Sequence, residues 1–156
     1  MKARSLPLVL LVLACTAQAA DTPGASPNVA TPTVAERLDI ARKAIAGKDW
    51  NGAMRELNIA VREAPRNADV HNLLGYTYRT RARPDLPRAF EHYQAALRLD
   101  PQHRGAHEYI GEAYLLERRL QQAEQHLAEL ERICGNRTCE EYQDLAKSIA
   151  DYKAKN

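Results

Sequence analysis

The sequence predicts an all-α fold, a helical solenoid of three antiparallel helix pairs closed by a C-terminal capping helix. Three observations predict it. The 156-residue chain matches itself at a shift of 36, with Leu57/Tyr93, Ala60/Ala96, Arg62/Arg98, Pro65/Pro101, His71/His107, Gly75/Gly111 and Tyr78/Tyr114 in step. A second ladder follows at a shift of 34, where Ala89 meets Ala123 and Tyr93 meets Leu127. From Val34 onward, apolar residues recur at helical spacing almost to the C-terminus. Self-similarity at such a period marks stacked units, none of which buries its apolar face without a neighbour. Arrays of this kind work by presenting a surface.

Residues 1–19 read as a signal peptide. Lys2 and Arg4 give a positive start, Leu6 to Ala14 a short apolar stretch, and Ala17-Gln18-Ala19 the small-x-small pattern of a cleavage site. The apolar run is too short to span a bilayer, which takes about 20 residues. Export to a bacterial periplasm is the expectation. Val12-Leu13-Ala14-Cys15 also resembles a lipobox, so an outer-membrane lipoprotein anchored through Cys15 stays open as an alternative. Residues 20–33, with three prolines and no apolar period, read as a disordered linker.

Cleavage after Ala19 leaves 137 residues, enough for one continuous core. It also removes Lys2 and Arg4, and 22 Lys+Arg against 20 Asp+Glu becomes 20 against 20. Phosphate binding needs clustered positive charge, so a neutral chain argues against nucleic acid and anionic membrane as partners. Of Cys15, Cys134 and Cys139, processing leaves an even pair. Thiols in an oxidising compartment tend to pair, which predicts a Cys134–Cys139 disulfide.

The first expected helix spans 34–46, on the stripe Val34, Leu38, Ile40, Ala41, Ala44 and Ile45. Gly47-Lys48-Asp49 ends it, and Asp49 caps the next, over 50–63, which Pro65 stops. The third begins near Ala68 with Val70, Leu73, Leu74 and Tyr78 inward, and Arg81 to Pro87 reads as a turn. The fourth runs to Leu99, where Asp100-Pro101 ends it, and the fifth and sixth occupy about 102–117 and 120–133. A seventh follows Cys139, with Thr138 and Glu141 at capping-box spacing and Tyr142, Leu145, Ile149 and Tyr152 on one face. Its other face is polar, as the last element of a solenoid requires.

These residues resemble the tetratricopeptide repeat over 34–135, in three units (34–67, 68–103 and 104–135) followed by a capping helix in 136–156. The second unit carries the motif as His71, Leu74-Gly75, Tyr78, Ala89, Tyr93, Ala96 and Pro101. The third carries His107, Ile110-Gly111, Tyr114, Ala123, Leu127 and Leu130, with Gly135 in place of the closing proline. The first is degenerate on its first helix but regular at Ala53, Leu57, Ala60 and Pro65. Two extra residues near Arg83-Pro84-Asp85 lengthen the loop of the second unit.

The resemblance implies a protein–protein interaction module whose first helices line a concave groove for a partner peptide or helix. The groove positions it implies are Arg42, Asn72, Tyr76, Arg79, Glu108 and Glu112. The arginines suit carboxylates, Asn72 suits a peptide backbone, and the glutamates favour a basic partner stretch. The plain alternative is that these side chains only solvate a helix face. Glu108 and Glu112 argue against the chaperone-binding type of groove, which grips a C-terminal carboxylate. At family level the resemblance implies adaptors or assembly factors of envelope machines such as pili or secretion systems. Self-association into a homodimer is left open.

His103 and His107, four apart, place two imidazoles on one helix face and raise a metal-binding reading. No third ligand completes the set, and His71 and His107 occupy equivalent packing positions in the repeat, so no metal is expected. Cys134 and Cys139 are too widely spaced for a CxxC redox centre. Asn136-Arg137-Thr138 forms a sequon that a bacterial-type signal makes coincidental. No nucleophile elbow, phosphate loop or metal-hydrolase motif appears, and the carboxylates lie on helix exteriors with no apolar pocket to raise a pKa. Neither catalysis nor a cofactor is expected.

Overall fold

The computed structural model describes residues 30–156. The expected signal peptide, the cysteine at 15 and most of the linker lie outside the described residues. The described part holds seven helices and no strand: α1 (Val34–Ala46), α2 (Trp50–Glu63), α3 (Ala68–Thr80), α4 (Leu86–Leu99), α5 (Arg104–Leu116), α6 (Leu120–Cys134) and α7 (Glu140–Lys155). None of them is long and apolar enough to cross a membrane.

Side chains near the helix starts satisfy orphan backbone donors. Asp49 accepts from the Gly52 N–H at 2.9 Å, Asn67 from Val70 at 3.1 Å and Asp85 from Arg88 at 3.2 Å. Thr33 and Glu36 form a full capping box at α1. The one expected before α7 does not form. The Thr138 hydroxyl and N–H both go to Asn136 Oδ1, at 2.7 and 2.8 Å, and Cys139 is the N-cap residue without a side-chain bond. The turn expected over Arg81 to Pro87 is also shorter. Asp85 caps α4 and Pro87 lies in its first turn, where a missing N–H goes unnoticed.

Each helix packs against its partner in the pair, α1 on α2, α3 on α4 and α5 on α6, and each pair packs on the next. The odd-numbered helices also touch along the array, α1 to α3, α3 to α5 and α5 to α7, whereas α2, α4 and α6 do not touch one another. The odd row is therefore the inner, concave side. α7 meets α5 and α6 much as α5 meets α3 and α4, so the capping helix stands where a fourth repeat would begin.

Small residues set these approaches. A Cβ placed on Gly75 would lie 2.5 Å from the Tyr93 ring, and one on Gly111 would lie 2.6 Å from Leu145 Cδ2. The first core cluster includes Leu38, Leu57, Val70, Leu74, Tyr93 and Ile110; the second gathers Leu115, Ala123, Leu130, Leu145 and Ile149 around α7. Where the first unit lacks motif residues, a buried arginine ties its helices together. Arg37 on α1 reaches Glu56 at 2.9 Å and Glu63 at 3.1 Å on α2. Between α6 and α7, Gly135 turns the chain at φ 68°, and a disulfide joins Cys134 to Cys139.

Candidate interaction site: the concave face

The concave face is built by α1, α3, α5 and α7. On α3, Tyr76 and Arg79 are three residues apart and therefore share a helix face. Tyr76 packs on Tyr109 of α5 with ring centroids 4.8 Å apart, and the Arg79 guanidinium lies over both rings, 5.3 and 5.6 Å from their centroids. Arg79 also pairs with Glu112 at 2.6 Å and donates to the Tyr93 hydroxyl at 3.2 Å. Glu112 accepts from Ser148 of α7 at 3.0 Å. One guanidinium thus links α3, α4 and α5, and Glu112 carries the network on to α7.

Beside the tyrosines opens a cavity of about 350 Å³, lined by Arg42, Ile45, Ala46, Leu73, Tyr76 and Tyr109. Its walls are aliphatic and aromatic with a cation at the rim, a surface suited to a partner's apolar side chain.

The sequence-predicted positions divide in two. Arg42 and Tyr76 line the cavity, while Arg79 and Glu112 hold the floor next to it. Arg42 is half-exposed and pairs with Asp39 at 3.0 Å on its own helix. Asn72 and Glu108 are buried, at 6 and 8 % exposure, which differs from the solvated helix face that the sequence allowed. The Asn72 Oδ1 atom has no hydrogen-bond partner among the described residues. Glu108 has no ion pair among the described residues; burial first, and then Glu112, Asp144 and Glu141, push its carboxyl up to about 8. The expectation of no carboxylate with a raised pKa therefore fails at this residue, because α7 covers the α5 face that carries it.

Tyr109, Leu73, Asp144 and Ser148 were missed. The repeat held the signal for them. Tyr109 is Leu73 shifted by 36, and the same shift carries Glu108 to Asp144 and Glu112 to Ser148 on α7.

The histidines are engaged elsewhere. His103 caps α5, its Nδ1 accepting from the Ala106 N–H at 3.1 Å while Nε2 meets Asp69 at 3.2 Å. His107 turns to His126, so the two imidazoles on the α5 face do not converge on one point. Among the described residues, Cys134, Cys139 and Glu141 form the one grouping with the size of a metal site, and its sulfurs are bonded to each other.

The paired helices, the inner row and the small-residue contacts define a helical repeat protein. The family profile described as tetratricopeptide repeat matches residues 38–103 and 82–137, and the chain belongs to that family. No curated protein matches the chain. Such repeats serve as protein–protein interaction modules and bind protein partners.

Proposed function

We propose that the chain is an exported, non-catalytic adaptor or assembly factor of the bacterial periplasm that holds a segment of a partner protein on its concave face. The observation that carries this reading is the Tyr76–Tyr109 pair beside the cavity with Arg42, Ile45 and Leu73. Large amphipathic rings next to an apolar recess are the usual anchors of binding energy. Export rests on the signal-like residues 1–19, and the Cys134–Cys139 disulfide supports an oxidising compartment.

Crosslinking the tagged full chain in its native envelope, side by side with Tyr76→Ala, tests the reading. A partner recovered with the parent and lost with a folded Tyr76→Ala chain is the expected result. Recovery of the same proteins with both would overturn the groove assignment. A mature N-terminus at Ala20 fits the soluble form, whereas one at a lipidated Cys15 makes the same adaptor membrane-anchored.

A further inference from the structure

Asn72, Glu108 and Asp144 fall 36 residues apart, at one equivalent position on α3, α5 and α7. All three present oxygen acceptors, and none has a donor among the described residues. Asn72 is 6 % exposed with an unpartnered Oδ1, and Glu108 is 8 % exposed with neither a hydrogen bond nor an ion pair among the described residues. Asp144 is exposed and likewise has no ion pair there. The nearby cations are taken, Arg79 by Glu112 at 2.6 Å and Arg104 by Glu141 at 3.6 Å.

Buried acceptors normally find donors, because leaving one unpaired costs about 1–3 kcal/mol. Here one such acceptor, Asn72 Oδ1, belongs to a row with the carboxylates of Glu108 and Asp144 on the face that the family uses for partners, and Glu108 stands next to Tyr109 of the apolar cavity. A guanidinium or ammonium group supplies the missing donors and the missing charge together.

We propose that the row formed by Asn72, Glu108 and Asp144 receives a lysine or arginine of a partner segment, while a neighbouring apolar side chain of that segment fills the Tyr76–Tyr109 cavity. The inference rests on the groove reading and narrows it to one partner chemistry, a basic–apolar segment. Electrostatic linkage supports it. The groups bearing on Glu108 are the carboxylates of Glu112 on its own helix and of Asp144 and Glu141 on α7, opposed by Arg79 of α3, and its carboxyl titrates at about 8. A cation seated there favours the ionised form, so binding expels a proton near neutrality, and affinity rises with pH until Glu108 is ionised in the free protein.

The test titrates the full chain with three synthetic peptides that differ only in their polar positions: Lys/Leu, Gln/Leu and Glu/Leu. The Lys/Leu peptide should bind the most tightly, more so at pH 9 than at pH 6, and should release protons in calorimetry run in buffers of different ionisation enthalpy. Glu108→Gln, which keeps the side-chain shape, should weaken it about tenfold, to the level of the Gln/Leu peptide. Glu91→Gln, at an exposed carboxylate on α4, should leave it unchanged. Equal binding of the three peptides, tighter binding of Glu/Leu, or an undiminished lysine preference in Glu108→Gln would each overturn the inference. If Tyr76→Ala then weakens all three alike, the groove reading stands and only its basic specificity falls. If no peptide binds at millimolar concentration the inference also falls, while the envelope crosslink still decides the groove reading separately.

Discussion

His107 and His126 meet Nδ1 to Nδ1 at 2.9 Å, and the same meeting recurs one repeat earlier between His71 and His92 at 3.1 Å. In each pair the first ring also reaches back to the carbonyl of the preceding proline, Pro101 at 3.1 Å or Pro65 at 3.0 Å. A carbonyl only accepts, so Nε2 donates, and in the neutral ring Nδ1 is left to accept from its partner. Tyr78 and Tyr114 stack on the second rings, at 5.6 and 5.7 Å. Each pair therefore ties the first helix of a repeat to the second, and to the turn that enters it.

That arrangement makes stability depend on pH. Burial first, then the neighbouring histidine, lowers both His92 and His126 to about 4, against an ordinary 6.5. As pH falls below 6.5 the unfolded chain takes up protons that the folded chain refuses, so this contribution is complete above 6.5 and lost towards 4. The loss should be on the order of 1–2 kcal/mol per pair after solvent screening. Glu108 works in the opposite sense, favouring the fold as pH falls from 8 towards 4.5. Urea unfolding of the parent and of His92→Gln/His126→Gln separates the two, since glutamine keeps a donor but does not titrate. The parent should lose more stability than the variant on acidification, and parallel curves would refute the assignment.

Gly75 and Gly111 occupy equivalent positions but face unequal neighbours. A Cβ on Gly75 meets the Tyr93 ring, which is fully buried and held at its hydroxyl by Arg79. A Cβ on Gly111 meets the end of Leu145, which is also fully buried but is a flexible aliphatic side chain on the terminal helix and not a rigid ring. Gly75→Ala should cost about 1–3 kcal/mol and Gly111→Ala distinctly less. Thermal unfolding of the two single variants decides this, and equal losses would mean that α7 yields no more easily than the Tyr93 ring.

The sequence exposed the fold more fully than the site. Pattern and stop signals placed α1 at 34–46 and α2 at 50–63 as observed, because each helix carries one apolar stripe and one capping residue. The carry-over of groove positions was less informative, because a face can be concave and still buried. Asn72 and Glu108 lie under neighbouring helices, a fact of three-dimensional packing that no spacing within one helix reports. The histidine pairs were within reach, as His71/His107 follow the shift of 36 and His92/His126 the shift of 34. Their pairing across helices is set by how α3 meets α4 and α5 meets α6, which spacing along the chain does not report.

The turns that close α1 and α5 contain residues that glycine should improve. Gly47 looks like the left-handed stop, yet its φ is −81°, and Lys48 takes the positive value of 57°. In the third repeat Arg118 does the same at 60°. A side chain in this region costs about 1 kcal/mol relative to glycine. Both residues are exposed, so little packing is lost on truncation. Lys48→Gly and Arg118→Gly should each raise the melting temperature, additively, because the two turns lie in different repeats. A fall in either variant would show that the side chain contributes more than its backbone strain removes.

Arg79 is the residue whose removal most needs separating from binding. Its guanidinium is the partner of Glu112, which is 23 % exposed, and of the Tyr93 hydroxyl in the first core cluster. Arg79→Glu would set two carboxylates against each other and leave that hydroxyl without its donor. Breaking a largely buried pair from one side should cost about 2–4 kcal/mol. Loss of a partner in such a variant would therefore report unfolding as readily as recognition. Arg79→Glu with Glu112→Arg restores opposite charges, and Arg79→Gln with Glu112→Gln removes both. Chemical unfolding of the four chains should show the single charge reversal as the least stable and the swapped pair partly recovered. If the single reversal is as stable as the parent, Arg79 is free to serve a ligand and the floor of the groove is not held by this pair.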